Sequence, residues 1–278
     1  MIWHFRDRRV TIGRKPLVMG IVNVTPDSFS DGGQFATVDA AIEHALRLAS
    51  EGADFLDIGG ESSRPGSQRV LLDEELARVI PVIQGVTGRT DVPVSVDTTK
   101  AEVARQALDA GSSIINDITA GLGDAAMVDV VRDFRAGVIL MHMQGTPETM
   151  QQNPHYGDVT TEVRDFLSDR VRIFVAAGVQ AERIAVDPGI GFGKTLNHNL
   201  TLLRELGELN RLGRPVVLGV SRKGLLGQIT GRPRGERMAA SLAVGCYCSA
   251  RGTAHVLRVH DVPPTVDAAK MIGAIGGE

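Results

Sequence analysis

Asp97, Asn116 and Asp187 share one chemical capacity: each is a short side chain whose oxygen accepts hydrogen bonds in a plane. Held rigidly together, they suit a flat ligand whose edge is a row of N–H donors. A divalent cation is the rival use of two carboxylates. Such sites usually add His ligands or a tighter cluster, and here an Asn stands between the acids. Taken singly, each Asp also fits a loop or a helix cap. Lys223 has three open uses: donation to a ring oxygen or nitrogen, a Schiff base, or an ion pair with Asp187.

A second set is cationic or hydroxylic: Ser62, Ser63, Arg64, Arg222, Arg258 and His260. The forked donors of Arg match phosphate oxygens. Asn23 and the acids of the loop after it could hold a Mg²⁺ that bridges phosphate oxygens, since Mg²⁺ takes few protein ligands and keeps waters. Gly189-Ile190-Gly191-Phe192-Gly193-Lys194-Thr195 resembles a phosphate-binding P-loop, but Pro188 stands where the first Gly is required. It reads as a tight turn, with Phe192 available to stack on a ring. Together the two sets describe a site divided between a planar, donor-rich heterocycle and an anion of phosphate type.

These residues are far apart in the chain, so the scaffold must bring them together. Leu17-Val18-Met19-Gly20-Ile21-Val22 is a continuous apolar run, as expected of a strand covered on both faces, and it stops at Asn23. Similar runs lie at 55–58, 92–96, 113–115, 138–141, 184–186, 215–220 and 254–258. They close on or near Asp57, Asp97, Asn116, His142, Asp187, Lys223 and His260. Helical signals separate them. One is at 38–51, with Ile42, Ala45, Leu46 and Ala49 as its stripe and His44 off it on solvated surface. Others lie at 73–86, at a capping box from Thr99 to Glu102 that opens a helix ending at Gly111, and at 236–251. A longer one carries Val163, Phe166, Leu167, Phe174 and Val175 on one side and ends at Gly178. No linker or composition break interrupts this alternation, which predicts a single (β/α)8 TIM barrel over residues 1–278 with its active site at the C-terminal rim of the strands. A doubly wound open sheet competes, but there is no Gly-rich first turn.

Composition sets the surroundings. With 43% hydrophobic and 23% charged residues among 278, the chain can bury a sizeable core. A net charge of -3 gives no basic excess, so nucleic acid is not an expected partner. Apolar runs are strand-sized, which predicts no membrane span, and the start of the chain lacks a signal-peptide core, which predicts a cytoplasmic protein. Cys246 and Cys248 sit two apart in a helix-like segment and read as reduced, structural thiols.

The loops Asn23-Val24-Thr25-Pro26-Asp27-Ser28-Phe29-Ser30-Asp31-Gly32-Gly33 and Gly60-Glu61-Ser62-Ser63-Arg64-Pro65-Gly66 carry a family resemblance. So do Ser95-Val96-Asp97-Thr98, Ile115-Asn116-Asp117, Leu140-Met141-His142-Met143-Gln144-Gly145, Asp187-Pro188-Gly189-Ile190-Gly191-Phe192-Gly193-Lys194, Ser221-Arg222-Lys223 and Arg258-Val259-His260-Asp261-Val262. Together they resemble the dihydropteroate synthase family of folate biosynthesis, over nearly the whole chain. The resemblance implies condensation of a dihydropterin-methyl diphosphate with 4-aminobenzoate, giving dihydropteroate and diphosphate. It implies that Asp97, Asn116, Asp187 and Lys223 hold the pterin, with Met141 and Phe192 on its faces. Asn23 would contact Mg²⁺, and Ser63, Arg258 and His260 the diphosphate. Phe29 and Pro65 would wall the aminobenzoate pocket beneath two closing loops, with Arg64 and Arg222 nearby. A homodimer through late helices and a role as sulfonamide target are implied as well.

Two departures stand out. Ser63 replaces a frequent Thr and keeps the hydroxyl; Gly224 replaces a Ser that often helps bind the aminobenzoate carboxylate, leaving backbone N–H and Arg222 or Lys223 to serve. Three other readings compete: a methyltetrahydrofolate-dependent methyltransferase barrel, which needs no diphosphate group; a non-catalytic pterin-binding paralogue; and a Schiff-base aldolase using Lys223.

Overall fold

The computed structural model describes residues 1–24 and 38–277. A short antiparallel hairpin comes first, β1 (Ile2–Phe5) with β2 (Arg8–Thr11). Eight parallel strands follow: β3 (Leu17–Asn23), β4 (Phe55–Gly59), β5 (Val94–Asp97), β6 (Ile114–Asp117), β7 (Gly137–Met141), β8 (Ile184–Asp187), β9 (Val217–Leu218) and β10 (Val256–Val259). They pair in the order β8-β7-β6-β5-β4-β3-β10-β9. A parallel bridge between Val186 and Val216 closes the circuit, and Val186 N–H donates to Pro215 O at 2.9 Å. The eight-stranded barrel expected from the alternating pattern is therefore present.

Nine helices pack outside it among the described residues: α1 (Val38–Ser50), α2 (Leu72–Thr87), α3 (Ala101–Asp109), α4 (Met127–Asp133), α5 (Val159–Ala176), α6 (Leu196–Arg204), α7 (Gly224–Thr230), α8 (Met238–Ala250) and α9 (Val262–Gly276). The strands are apolar on both faces because these helices cover one side and the barrel interior fills the other. Val79, Val82, Ile83 and Val86 of α2, for example, join Leu56, Ile58 and Val96 in one continuous core.

The hairpin has no counterpart in the sequence reading. It plugs the floor of the barrel, opposite the rim. Trp3 and Phe5 meet Phe55 at ring centroid distances of 5.4 and 5.8 Å, beside Met19, Ile114, Ile139 and Val217 from the strand starts. Trp3 Nε1–H donates to Arg183 O at 3.0 Å, so the indole's one polar atom is satisfied. Burying these rings stabilises the floor by about 2–3 kcal/mol each.

Several local expectations change. The Thr99–Glu102 capping box does not form. The helix starts at Ala101, whose N–H donates to Asp124 Oδ2 at 2.9 Å, and Thr98 Oγ1 takes the N–H of Lys100. A capping box does form at Thr195 with His198, opening α6. Val175 points to solvent while Val163, Leu167 and Phe174 are buried. On α1 the buried stripe runs through Ala41, Ile42, Ala45 and Leu48, leaving Leu46 and Ala49 half-buried. His44 is half-buried rather than solvated; burial first, then Arg47, hold it down at about 4. Helices α4, α6 and α7 are too short to show a clear periodicity, and α9 is rich in Ala and Gly. Cys246 and Cys248 are free, the latter buried.

Candidate active site

At the carboxyl ends of the strands lies a cavity of about 510 Å³. Its floor is acidic and amidic. Asp57 on β4 is fully buried, and its Oδ2 accepts from Arg258 Nε at 2.5 Å and from Asn116 Nδ2 at 3.1 Å. Arg258 on β10 donates its second arm to Asp97 Oδ2 at 2.6 Å. One guanidinium therefore bridges two carboxylates. It can neutralise only one, and the surplus falls on Asp97: burial first, opposed by Arg258 and reinforced by Asp57, pushes its carboxyl up to about 7. Asp57 Oδ1 is buried without a hydrogen-bond partner.

Asp187 on β8 is buried beside Lys223 and accepts from Gly189 N–H at 2.7 Å through Oδ1. Desolvation raises its pKa while Lys223 opposes the rise. Lys223 does not form the direct ion pair with Asp187 that its position allows. Its ammonium donates to Ile190 O at 2.5 Å and lies 4.5 Å from the centre of the Phe192 ring. Burial pulls it down to about 8, with Asp187 pulling the other way. Met141 packs beneath, with Ile118, Met150 and Phe192.

The opposite wall is cationic. His260 Nδ1 lies 3.0 Å from Ser221 Oγ. Burial, then Arg222, Arg258, Arg234 and Arg64 in that order, hold its imidazole down at about 3, so it is neutral amid positive charge. Arg222, in the left-handed region at φ 58°, makes a two-armed ion pair with Asp261 at 2.6 and 3.1 Å. Ser62, Ser63, Arg64 and Pro65 form the mouth on the loop after β4. Ser67 Oγ–H lies within reach of both Ser62 O at 2.5 Å and Arg64 O at 2.7 Å, and Gly66 N–H donates to Pro147 O at 3.0 Å.

The barrel brings Asn23, Ser63, Arg64, Pro65, Asp97, Phe192, Arg222, Lys223, Arg258 and His260 to the cavity lining. Asn116, Met141 and Asp187 lie directly beneath, buried. Phe29 falls outside the described residues, as do Asp27 and Asp31. Among the strand ends, His142 turns away from the cavity: its Nδ1 sits 2.9 Å from Lys194 Nζ and its ring packs edge-on against Phe166 at 4.9 Å. Among the described residues no group of three His, Cys, Asp or Glu side chains is placed to hold a metal ion. No helix among them is long and apolar enough to cross a membrane.

Three features were missed. Asp57 was counted among the polar strand ends, but nothing in the sequence marked it as the partner of Arg258. A triad joins half-buried Lys100 through Nζ to Oε2 of half-buried Glu61 and of buried Glu75, each at 2.5 Å; burial works against the lysine's charge, but both partners outweigh it and raise its pKa, and Glu61 lines the mouth. Gln228, Arg234 and Arg237, beyond the seventh barrel strand, also reach the cavity.

Residues 19–260 match the family described as pterin binding enzyme. A dihydropteroate synthase from Synechocystis sp. is 45% identical over 263 residues, 95% of this chain and 91% of that protein. The Escherichia coli K12 dihydropteroate synthase is 44% identical over 259 residues, 93% of this chain and 91% of its own length. The chain belongs to the dihydropteroate synthase family. It is thus an enzyme, a pterin-binding transferase. Solved structures of other members agree in fold. The Yersinia pestis dihydropteroate synthase, crystallised with a sulfonamide drug, superposes with a TM-score of 0.95 at 41% identity, covering 100% of both chains. The Xanthomonas albilineans dihydropteroate synthase with 4-aminobenzoic acid gives 0.91 at 49%, covering 99% of this chain and 98% of that one. The same enzyme with 7,8-dihydropteroate gives 0.87 at 46%, covering 99% and 100%.

Proposed function

We propose that the chain condenses a dihydropterin-methyl diphosphate with 4-aminobenzoate, and that its cavity assigns the two ends of the first substrate to its two electrostatic halves. The observation that carries this reading is the division itself: buried Asp57, Asn116 and Asp187 with half-buried Asp97 on one side, Arg64, Arg222 and Arg234 around neutral His260 on the other, and Arg258 at the boundary between them. The amino-pyrimidinone edge of the pterin is a row of donors suited to Asp187, Asn116 and the unpartnered Asp57 Oδ1. Phe192 and Met141 supply apolar faces for the ring. Ser63, Arg258 and His260 take the diphosphate.

As the C–O bond to diphosphate breaks, positive charge develops on the exocyclic methylene and ring, and the Asp97 carboxylate stabilises it. Negative charge gathers on the departing diphosphate, where the Arg cluster meets it. The arylamine nitrogen attacks the methylene in a dissociative substitution and then releases its proton. Pro65 and Arg64 at the mouth lie where 4-aminobenzoate enters, between the cavity and solvent.

Mg²⁺ fits the donor set in the sparing way that ion needs. Asn23, half-buried at the end of β3, lines the cavity and offers one amide oxygen, so phosphate and water oxygens would complete the shell. When bound, the ion would neutralise charge on the diphosphate. A homodimer is also part of the reading. Met238 and Tyr247 of α8 and Met271 and Ile275 of α9 are 44%, 46%, 59% and 80% exposed, an apolar surface on late helices. Light scattering at micromolar concentration tests it. We take residues 1–278 as one cytoplasmic folding unit, the floor hairpin included, which a single unfolding transition by fluorescence and circular dichroism would support.

The deciding experiment is diphosphate release from the purified protein with the dihydropterin-methyl diphosphate, with and without 4-aminobenzoate and Mg²⁺. The reading expects Mg²⁺-dependent release and dihydropteroate only when aminobenzoate is present. A folded protein that binds the pterin and releases no diphosphate would overturn it.

A further inference from the structure

Residues 189–195, whose sequence resembles a phosphate-binding loop, carry no phosphate contact in the proposed reaction. Their backbone carbonyls are all occupied from within. Gly189 O and Phe192 O each accept from Lys194 Nζ at 3.0 Å. Ile190 O accepts from Lys223 Nζ at 2.5 Å, Gly191 O from Gln151 Nε2 at 2.8 Å and Gly193 O from Tyr156 Oη at 2.7 Å. Five consecutive carbonyls are thus fixed by side chains, an arrangement that holds a loop in one conformation.

Lys194 is the centre of it. Its side chain is 2% exposed, and its ammonium also meets His142 Nδ1 at 2.9 Å and His142 O at 3.4 Å. It therefore ties the end of β7 to the loop after β8. The two or three protons on this nitrogen face four protein acceptors, so Lys194 has no donor left for a ligand. The tie must pass close to the backbone: a Cβ on Gly189, at φ 66°, would fall 1.8 Å from His142 O. Phe192 is what the tie holds in place. Its ring packs on Met141 and Met150 and lies beneath the Lys223 ammonium.

We propose that Lys194 is a positioning residue for the heterocycle of the pterin substrate: it fixes residues 189–193 so that Phe192 and Lys223 form one side of the slot, and it touches no phosphate. The inference rests on the pterin-transfer reading. Free Lys194 from its carbonyls and Phe192 gains freedom that the bound ring must then remove, so affinity for the pterin falls while the aminobenzoate end is untouched.

The test compares wild type, Lys194→Met and Tyr156→Phe by initial rates against each substrate, with binding of a free 6-hydroxymethylpterin and of inorganic diphosphate measured by calorimetry. In Lys194→Met the KM for the pterin diphosphate and the Kd for the free pterin rise about tenfold or more. The KM for 4-aminobenzoate and the Kd for diphosphate stay within about twofold. Tyr156→Phe, which removes only the Gly193 tie, shifts the same two constants about two- to fivefold and carries the test if the Met variant does not fold. Equal losses in both substrates, or a lowered melting temperature with both KM values unchanged, would overturn the proposal, as would weakened diphosphate binding. If wild type itself does not turn over, the transfer reading fails, and the free-pterin Kd values still decide the role of Lys194.

Discussion

Asp97→Asn should make the protein more stable and less active, and the structure fixes how the gain varies with pH. Arg258 is shared between Asp57 and Asp97, so one carboxylate is left in excess; burial first, then Asp57 against the pull of Arg258, pushes Asp97 up to about 7 from an ordinary 3.8. A folded-state pKa above the unfolded value means that folding favours the protonated side chain. The site costs stability at any pH above 3.8, the cost grows until about pH 7, and it is constant beyond. At about 1.4 kcal/mol per pK unit the cost is roughly 2 kcal/mol at pH 5 and roughly 4 kcal/mol at pH 8. Asn keeps the shape and the acceptor for Arg258 without the charge. Urea unfolding of wild type and variant at both pH values reads the difference, and the advantage of the variant should grow by about 3 kcal/mol between them. Turnover should fall by about a hundredfold or more, because the developing positive charge loses its counter-charge. Wild-type kcat/KM should fall as pH drops through about 7, where Asp97 takes up its proton. A variant less stable than wild type at pH 8, or an advantage that does not grow with pH, would refute the placement of the surplus charge. Unchanged turnover would refute the role of Asp97.

Asp57→Ala removes the acceptor that holds Arg258 Nε and Asn116 Nδ2. It should destabilise by about 3–5 kcal/mol in thermal or urea unfolding. Asp57→Asn should be milder in stability and should move the acid limb of kcat/KM below 7, since one like charge beside Asp97 is gone. Lys100→Met leaves Glu61 and buried Glu75 unpaired and should cost about 3 kcal/mol at neutral pH, most of it recovered in the Lys100→Met, Glu75→Gln double variant. Additive losses in that cycle would show that the triad is not a unit. At Gly224 a Cβ meets nothing within 4 Å, so Gly224→Ser fits without strain and its effect reads chemistry. Steady-state kinetics should show the aminobenzoate KM changing more than that of the pterin diphosphate; the reverse would remove Gly224 from the aminobenzoate end.

The barrel and its rim were legible because each strand is an apolar run ending on a polar residue, a pattern that parallel strands buried on both faces enforce. The direction of each rim side chain was less legible, and strand parity explains why. Adjacent residues point to opposite faces. Asn116 faces Asp57 inside the barrel, whereas Asp117 turns outward to accept from Thr119 and Gly121 N–H. Met141 packs on Phe192, and His142, one residue later, packs on Phe166 of α5. Counting strand ends thus admits His142 to the rim; counting in twos from a known inward residue would have excluded it. The floor hairpin was illegible for another reason. Its four-residue strands alternate weakly, and what fixes them is Trp3 reaching Arg183 O, 180 residues away in sequence.

The distribution of charge gives the cavity a direction. Below, Asp57, Asp97 and Asp187 face two cations, Arg258 and Lys223, so the floor carries at most one surplus negative charge; burial first, then Asp57 against the pull of Arg258, brings Asp97 up to about 7. Above, burial and then Arg222, Arg258, Arg234 and Arg64 keep His260 neutral, so the donors that line the upper wall are guanidinium groups and no carboxylate lies among those that shift it. A molecule with a donor-rich ring at one end and an anion at the other can enter this field in only one orientation without placing an anion against Asp97. The bond joining its two ends then lies across the boundary. Breaking it sends positive charge toward the carboxylates and negative charge toward the arginines, along a gradient the fold already maintains, so little reorganisation is needed when the charges separate.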